Sequence, residues 1–278
     1  MSSSNSPWFA VGDIQVAPVS DGISRVPAQS FPKADWAEHA DLLHADGTMH
    51  LPVGSFVVRT GGRTVLLDAG LGAMNLPEYA AVFDCGRLPA ALAAVGVRPE
   101  DIDIVACSHL HLDHAGWLAA EGRLCFPNAD VVFGAADWDQ YIATEMADPL
   151  APEYIRAGLR LAERAGRLRP IERDGQSIAP GVTARATPGH TRGHQTFILS
   201  SGAERLVVLG DAVVCPLQIA RSDWDVIADT DPALAARTRE ALLRELEGSS
   251  ARVVGPHFPG LRAGRVLPGQ GRRHFLAG

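Results

Sequence analysis

Residues 108–116 read Ser-His-Leu-His-Leu-Asp-His-Ala-Gly, a sequence that points to a metal-binding α/β fold. Three histidines and one aspartate fall within six positions, directly after the apolar run Asp103–Cys107, which is typical of a buried β-strand. Imidazole and carboxylate are ligands that zinc and similar divalent ions prefer. Side chains two residues apart in an extended segment point the same way. We therefore expect His109 and His111 to share one ion.

Three further candidate ligands follow other apolar runs. His190 comes after VTARATPG, Asp211 after RLVVLG and His257 after ARVVGP. For any one of them alone, a turn residue or a structural histidine is the ordinary explanation. Strand ends at one edge of a sheet converge on a common cleft, however, so we expect these side chains to meet the first cluster.

The combined set comprises five histidines and two carboxylates: His109, His111, Asp113, His114, His190, Asp211 and His257. A catalytic zinc takes about three protein ligands and leaves one position open. Seven ligands therefore predict two divalent ions with Asp211 shared between them. Zinc is the expected metal, with manganese, cobalt or iron as alternatives.

Two polar residues near these ligands have other predicted roles. Asp68 ends the apolar run Thr64–Leu67, and the sequence leaves two interpretations open: a turn residue, or a carboxylate that orients a ligand imidazole. His194 lies four residues after His190. We expect it to hold its loop by hydrogen bonding and not to bind metal.

Aromatic residues close to the cluster are candidates for the wall of a substrate pocket. They are Trp117, directly after the cluster, and Trp138 with Tyr141 further along the chain. Ordinary packing in the core is the alternative for each of them.

The β and α signals alternate along the chain, which favours an α/β fold. The runs Thr64–Leu67 and Asp103–Cys107 flank a helical pattern near residues 88–96, and Asp231-Pro232 is a typical start of a later helix. No linker or repeat separates these segments, so we expect one domain over residues 1–278. Residues 19–51 look loop-rich and are expected to form a lid or an N-terminal loop region.

Composition narrows the range of partners. The chain has 278 residues, 46% of them hydrophobic and 21% charged, which is typical of a globular protein. A net charge of −7 argues against nucleic acid as a partner. No apolar run reaches the ~18 residues of a membrane span, and the first residues lack a signal-peptide pattern. We expect a cytoplasmic protein that acts on a small-molecule substrate and has no nucleic acid or membrane partner. Whether it forms a homodimer is left open.

The sequence resembles the metallo-β-lactamase superfamily in five motifs. HLHLDHAG matches its HxHxDH signature, TPGHTRGH its GH motif, LGDAV its bridging-aspartate motif, GPHF its terminal histidine and LLDAG its early aspartate. This resemblance implies a four-layer αβ/βα sandwich with the metals at one edge of two sheets. It implies a first ion on His109, His111 and His190, a second on Asp113, His114 and His257, and Asp211 between the two ions.

Within the superfamily the chain looks most like the group of acyl-homoserine lactonases and methyl parathion hydrolase. The stretches GSFVVRTGGRTVLLDAG and CFPNADVVFG carry this likeness. Those lactonases have a tyrosine three residues after the bridging aspartate, where this chain has Val214. The difference favours an aryl ester or a phosphotriester over a homoserine lactone.

The predicted function is a dinuclear hydrolase that cleaves a small ester, lactone or phosphotriester with a metal-bridging hydroxide. Asp211 is expected to bridge the ions, and Asp113 to hydrogen-bond the hydroxide and pass a proton to the leaving group. The alternative is an iron-dependent redox enzyme of the dioxygenase kind on the same fold, because two histidines and a carboxylate also suit iron.

Overall fold

The computed structural model of the protein describes residues 7–73, 82–144, 148–269 and 271–278. The strands are β1 (Phe9–Val11), β2 (Ile14–Pro27), β3 (Thr48–Thr60), β4 (Arg63–Leu67), β5 (Phe83–Asp84), β6 (Ile104–Ala106), β7 (Ala119–Ala120), β8 (Arg123–Leu124), β9 (Asp130–Gly134), β10 (Leu168–Ile171), β11 (Ser177–Ala179), β12 (Val182–Ala186), β13 (Gln195–Ser201), β14 (Glu204–Val208), β15 (Arg252–Val254), β16 (Gly264–Pro268) and β17 (Arg273–Ala277). The α-helices are α1 (Leu88–Ala94), α2 (Leu112–Ala115), α3 (Ala135–Asp137), α4 (Glu153–Arg164), α5 (Leu217–Ala220) and α6 (Pro232–Leu246), and a π-helical turn, Trp138–Ile142, continues α3.

Two mixed sheets contain most of these strands. The first has the order β1-β2-β3-β4-β6-β9-β10, with β5 beside β2, and the second runs from β11 to β17 in chain order. Strands β4, β6, β9 and β10 are parallel, as are β14 and β15, and the other pairs are antiparallel. Strands β7 and β8 form a small hairpin apart from both sheets.

Alternating side chains sort the strands into layers, because successive residues of a strand face opposite sides of the sheet. In β4, Leu66 packs with residues of α1 and α4 outside the first sheet, whereas Leu67 packs against the second sheet. In β14, Val208 faces the space between the sheets, whereas Val207 packs against α6. The resulting order is helix, sheet, sheet, helix, which confirms the predicted four-layer sandwich. Burying one such leucine contributes on the order of 2 kcal/mol.

Helix α6 covers the second sheet and begins where the sequence predicts. The Asp231 carboxylate accepts a hydrogen bond from the Leu234 backbone N–H at 2.9 Å, and Pro232 occupies the first turn. Leu242 and Leu246 lie on the buried face of the helix. Arg239 lies on the same face and is also fully buried, which its charge does not predict.

The prediction that residues 19–51 are loop-rich is wrong at both ends of the segment. Residues 19–27 belong to β2 and residues 48–51 to β3, which pair over most of their length, so the excursion from this hairpin spans only residues 28–47. A shift of register between Ser20 and Gly22 breaks the alternation of β2. This bulge and the prolines Pro18 and Pro27 hide the strand pattern in the sequence.

The ligand-bearing loops leave the two sheets at neighbouring edges. The loop with His109 follows β6 of the first sheet. In the second sheet, β12, β14 and β15 run in one direction and are followed by the loops with His190, Asp211 and His257. The edge predicted from the apolar runs is therefore present in the fold.

The four cysteines, Cys85, Cys107, Cys125 and Cys215, are free thiols. Among the described residues, no helix combines the length and the apolar character that a membrane crossing requires.

Candidate metal centre

The seven candidate ligands meet at one place between the two sheets. Their ligand atoms form three compact groups, in each of which all atoms lie within 4.8 Å of one another: His109 with His111 and His190, His109 with His114 and Asp211, and Asp113 with His114 and His257. Nδ1 of His111 lies 3.1 Å from Nε2 of His190, and the Nε2 atoms of His114 and His257 lie 3.3 Å apart. The first and third groups are the two ligand sets that the resemblance implies.

Asp211 lies between these two sets. Its Oδ2 is 3.5 Å from Nε2 of His190, and its Oδ1 is 3.4 Å from Nε2 of His257 and 3.5 Å from Nε2 of His114. One carboxylate oxygen therefore faces each set, as a bridging ligand requires. Burial by itself would raise the pKa of Asp211, but the imidazoles of His257 and His114 outweigh burial and hold the pKa well below its usual range.

Three of the imidazoles are oriented by an oxygen behind the ring. Nδ1 of His257 donates to the Pro52 carbonyl at 2.7 Å. Nδ1 of His114 lies 3.0 Å from the Asp68 carboxylate, and Nδ1 of His190 lies 2.8 Å from the Asp229 carboxylate. A carbonyl or an ionised carboxylate accepts but cannot donate, so the hydrogen-bond network assigns a proton to each Nδ1. In the neutral rings, Nε2 then carries the lone pair that faces the cluster.

His109 and His111 are held in a similar way. Nδ1 of His109 lies 3.1 Å from the Ser108 hydroxyl, which itself lies 3.1 Å from the Asp68 carboxylate and donates to it. Nε2 of His111 lies 2.9 Å from the Tyr141 hydroxyl, so its Nδ1 is the atom that faces His190. Burial first, and then the neighbouring imidazoles, hold the pKa of both histidines well below the usual range. Both rings are therefore neutral, the form that binds metal.

Two buried polar atoms of the cluster bear on whether it could hold a cation. Nε2 of His109 and Oδ1 of Asp211 lack a hydrogen-bond partner in the part of the chain that the structure describes. Buried polar atoms are nearly always satisfied, and a bound ion is one recognised explanation for an exception. Nitrogen and carboxylate oxygen are the donors that zinc and other borderline divalent ions take. The residues present therefore fit two divalent cations.

The structure agrees with both interpretations of Asp68 that the sequence leaves open. It lies in a turn with φ of +60°, a conformation that costs a non-glycine residue energy. Its carboxylate accepts the Ser108 backbone N–H at 2.7 Å and contacts Nδ1 of His114 at 3.0 Å. Asp68 is thus a turn residue that orients a ligand imidazole.

His194 holds the loop that carries Asp211. Its Nε2 accepts the Asp211 backbone N–H at 2.8 Å, and its Nδ1 lies 2.8 Å from the Thr187 hydroxyl. Gly210, directly before Asp211, has φ of +54°, and a Cβ added to it would lie 2.6 Å from Nε2 of His194. Only glycine allows this approach. His194 is absent from the ligand groups among the described residues.

Asp137 is a buried carboxylate that the sequence analysis missed. It accepts the Leu110 N–H at 3.1 Å, the Thr191 hydroxyl at 3.0 Å and the Gly193 N–H at 2.6 Å. These bonds join the loop of His109 and His111 to the loop that follows His190. Burial raises the pKa of Asp137 to about 6, against the effect of these donors. A single aspartate between Ala136 and Trp138 gives no sequence signal for such a role.

A cavity of about 370 Å³ opens onto the cluster. Of the candidate ligands, His111, Asp113, His190, Asp211 and His257 line it. Its walls are mainly apolar and come from Val26, Leu51, Val82, Phe83, Leu112, Leu150, Val214, Val226, Ile227 and Ala228. No lysine or arginine is found among the described residues of this lining.

The three aromatic residues predicted as pocket walls lie elsewhere. Trp117 packs in the core outside the first sheet and donates its indole N–H to Asp21 at 2.9 Å. Trp138 stacks on Phe133, and Tyr141 contacts His111. None of the three lines the cavity within the described residues. Nearness in sequence misled the prediction, because most of the apolar wall residues, such as Val26, Leu51 and Phe83, come from segments remote from the ligands.

Comparison with known proteins agrees with this geometry. A sequence model of the metallo-beta-lactamase superfamily matches residues 50–257. An N-acyl homoserine lactonase of Bacillus cereus is 28% identical over 174 residues, which cover 58% of this chain and 63% of the relative. The chain thus matches less than two thirds of that relative's length.

Two solved structures share the fold over nearly the whole chain. AidC, a dizinc quorum-quenching lactonase in complex with a product, N-hexanoyl-L-homoserine, has a TM-score of 0.85 at 22% identity and covers 98% of this chain and 96% of its own. The hydrolase AbOPH of the beta-lactamase superfamily has a TM-score of 0.83 at 21% identity, covering 97% and 96%. The motif spacing, the four layers and the family match lead to one conclusion: the chain belongs to the metallo-β-lactamase superfamily.

Proposed function

We propose that the protein is a dinuclear metal-dependent hydrolase that cleaves a small, uncharged ester or lactone with an apolar substituent. The observation that carries this proposal is the position of Asp211, whose two oxygens face two separate ligand sets at the floor of an apolar cavity. The similarity to N-acyl homoserine lactonases supports an ester-type bond as the target.

Two divalent cations bound there would lower the pKa of a shared water to about 7 and polarise the ester carbonyl. The chain's own residues supply position and proton transfer. His109, His111 and His190 would hold one ion, and Asp113, His114 and His257 the other. The carboxylates of Asp68 and Asp229 fix the rings of His114 and His190. The lone pairs of these two rings therefore need not reorient during the reaction.

Asp113 is suited to move a proton. Its Oδ1 lies 3.6 Å from Nε2 of His114 and its Oδ2 3.6 Å from Nε2 of His257. With 17% of its side chain exposed, it is more accessible than its buried partners, and it lines the cavity. In the proposed mechanism Asp113 holds the attacking water by a hydrogen bond and then carries its proton to the leaving oxygen.

The walls favour an uncharged substrate. Away from the two metal sites, the described walls are mainly apolar and contain no lysine or arginine, so a charged substituent of the substrate would lose its water there without gaining a partner. An acyl or aryl group instead gains about 25 cal/mol for each Å² of apolar surface removed from water. Uncharged phosphotriesters meet the same condition and stay within the proposal as a second substrate class.

The test is a hydrolysis panel on protein reconstituted with zinc, manganese, cobalt or iron. The panel contains lactones with short and long acyl chains, aryl esters, thioesters, phosphotriesters and an ester with a carboxylate at the end of its acyl chain as the anionic control. We expect hydrolysis of uncharged apolar substrates, loss of turnover on chelation, recovery with a divalent ion and little activity on the anionic control. Iron as the bound metal, with oxygen consumption and no hydrolysis, would instead establish the redox alternative.

A further inference from the structure

A buried ion pair lies behind the candidate ligand His190. Oδ1 of Asp229 is 2.8 Å from Nδ1 of His190, and Oδ2 of Asp229 is 3.6 Å from Nη2 of Arg239. The side chains of Asp229 and Arg239 are both fully buried. Taking two charges out of water costs several kcal/mol for each ion, so such a pair is a weak stabiliser and calls for another explanation.

We propose that Asp229 and Arg239 are a positioning pair that fixes the ring of His190 and joins it to the wall of the substrate cavity. This inference rests on the metal centre of the proposed function. Neither residue of the pair is among the described residues that line the cavity, and the pair acts through the groups to which it is bonded.

One side of Asp229 shapes the cavity wall. Its Oδ2 accepts the Val226 backbone N–H at 3.1 Å, and its own backbone N–H donates to the Val226 carbonyl at 2.9 Å. These two bonds close a turn over residues 226–229. Val226, Ile227 and Ala228 in this turn line the cavity. The carboxylate that orients His190 is therefore also the group that holds the wall in place.

Arg239 joins this turn to the loop of the bridging carboxylate. Its Nε donates to the Ala212 carbonyl at 2.8 Å, next to Asp211, and its Nη1 donates to the Trp224 carbonyl at 2.6 Å. One planar guanidinium thus bonds two separate backbone segments while it faces Asp229, a geometry that lysine cannot reproduce. The signal in the sequence is an arginine on the apolar stripe of α6, four residues after Ala235 and seven before Leu246.

The charge of Asp229 has a direct effect on His190. A carboxylate that accepts the Nδ1 proton fixes the ring orientation and raises the basicity of Nε2, the atom that faces Asp211. Loss of such a partner lowers metal affinity 10–100-fold in proteins of this kind. Arg239 places a compensating positive charge 3.6 Å from this buried carboxylate.

The experiment measures zinc affinity of the full-length, metal-free protein by competition with a chromophoric chelator. The first variant is Asp229→Asn, which keeps an oxygen acceptor but removes the charge. We expect about 10–100-fold weaker binding at one of the two zinc sites and little change at the other. The matched control is Asp225→Asn, because Asp225 lies in the same segment, pairs with Lys33 at 2.7 Å and does not contact His190.

A double variant separates positioning from folding. Asp229→Asn alone leaves Arg239 buried without its counter-charge, and this can lower stability. The double variant Asp229→Asn, Arg239→Met removes both charges, and we expect it to recover thermal stability but not zinc affinity. A merely structural pair would behave differently: zinc affinity would recover together with stability, and this result would overturn the proposal.

Kinetics give a second readout with the preferred substrate of the panel. Asp229→Asn should lower kcat through His190 and raise KM for long acyl chains through the wall, whereas Asp225→Asn should change neither. If the wild-type protein binds two zinc ions and Asp229→Asn binds both equally well, the positioning role is wrong and the proposed function stands. If the wild-type protein fails to bind two ions, the proposed function fails and this inference fails with it.

Discussion

Nε2 of His194 accepts the backbone N–H of Asp211 at 2.8 Å, so a histidine outside the candidate ligand set helps to position the carboxylate that faces both groups of candidate ligands. Burial is the main cause that lowers the pKa of His194 from 6.5 to about 3. The folded state therefore keeps this ring neutral at pH values where the unfolded chain takes up a proton.

The first prediction concerns acid stability. As pH falls below about 6.5, His194 takes up a proton in the unfolded state, whereas in the folded state it stays neutral down to about pH 3. The unfolded state therefore binds more protons over this range, and the free energy of unfolding falls. His194→Gln keeps an acceptor for Asp211 and a donor for Thr187 but cannot titrate. We expect its free energy of unfolding to fall less steeply with pH. Urea unfolding of the metal-free proteins between pH 7 and 4 measures the difference, and parallel profiles would contradict the prediction.

The second prediction concerns proton release on metal binding. Burial lowers the pKa of His114, but the carboxylates of Asp211, Asp113 and Asp68 outweigh burial and raise it to about 10. In the absence of a cation His114 is therefore protonated near neutral pH, and a metal ion has to displace that proton. We expect zinc uptake at pH 7.5 to release protons, and Asp68→Asn to release fewer.

Calorimetric titration in two buffers of different ionisation enthalpy counts these protons. Wild-type protein that binds two zinc ions without any release would show that His114 is neutral before binding. Asp225→Asn again serves as a control, because Asp225 forms its ion pair with Lys33 and lies outside the cluster.

The candidate ligands are easier to predict from the sequence than the groups around them, because each of them lies in a short local motif. His109, His111 and Asp113 belong to one motif, and His190 and Asp211 follow apolar strands whose ends the sheet brings together. The candidate metal ligands can therefore be recognised from short stretches of sequence. Strands β4 and β6 end within one residue of the predicted runs Thr64–Leu67 and Asp103–Cys107 for the same reason, since each is a short apolar run bounded by turn residues.

The orienting groups and the cavity walls depend on long-range contacts. Asp229 lies 39 residues from His190, and Pro52 lies 205 residues from His257. No periodicity links such positions, and an aspartate in a polar stretch reads as a turn residue. The long hairpin of β2 and β3 was missed because its bulge and prolines break the alternation on which strand prediction depends.

The third prediction concerns Asp113 as proton carrier. Asp113→Asn keeps an oxygen ligand near His114 and His257 but cannot accept a proton. We expect it to retain most of its zinc and to lose turnover by about 10²–10⁴-fold, the usual contribution of general acid–base catalysis. Metal content by elemental analysis and kcat on the same sample measure both properties. Full turnover in this variant would remove the proton role and leave Asp113 as a ligand only.

The fourth prediction concerns substrate binding at the mouth of the cavity. Ile227 lines the cavity, yet 69% of its surface is exposed in the free protein, so it is available to cover an apolar group of the substrate. Ile227→Asp removes this contact and adds a charge without disturbing the core. We expect KM for long acyl or aryl substrates to rise about 5–10-fold, since a contact worth on the order of 1 kcal/mol is lost. The value of kcat should stay near that of the wild-type protein, because Ile227 is not among the candidate ligands.

The matched control for Ile227→Asp is Leu276→Asp. Leu276 is 60% exposed, and it is not among the described residues that line the cavity. Because both substitutions place a new carboxylate at an exposed apolar position, general effects of charge and solubility are the same in the two variants. An equal rise in KM in both would show that net charge, and not a contact at residue 227, controls binding. A rise only in Ile227→Asp that grows with acyl chain length would place the apolar part of the substrate against the turn that Asp229 closes.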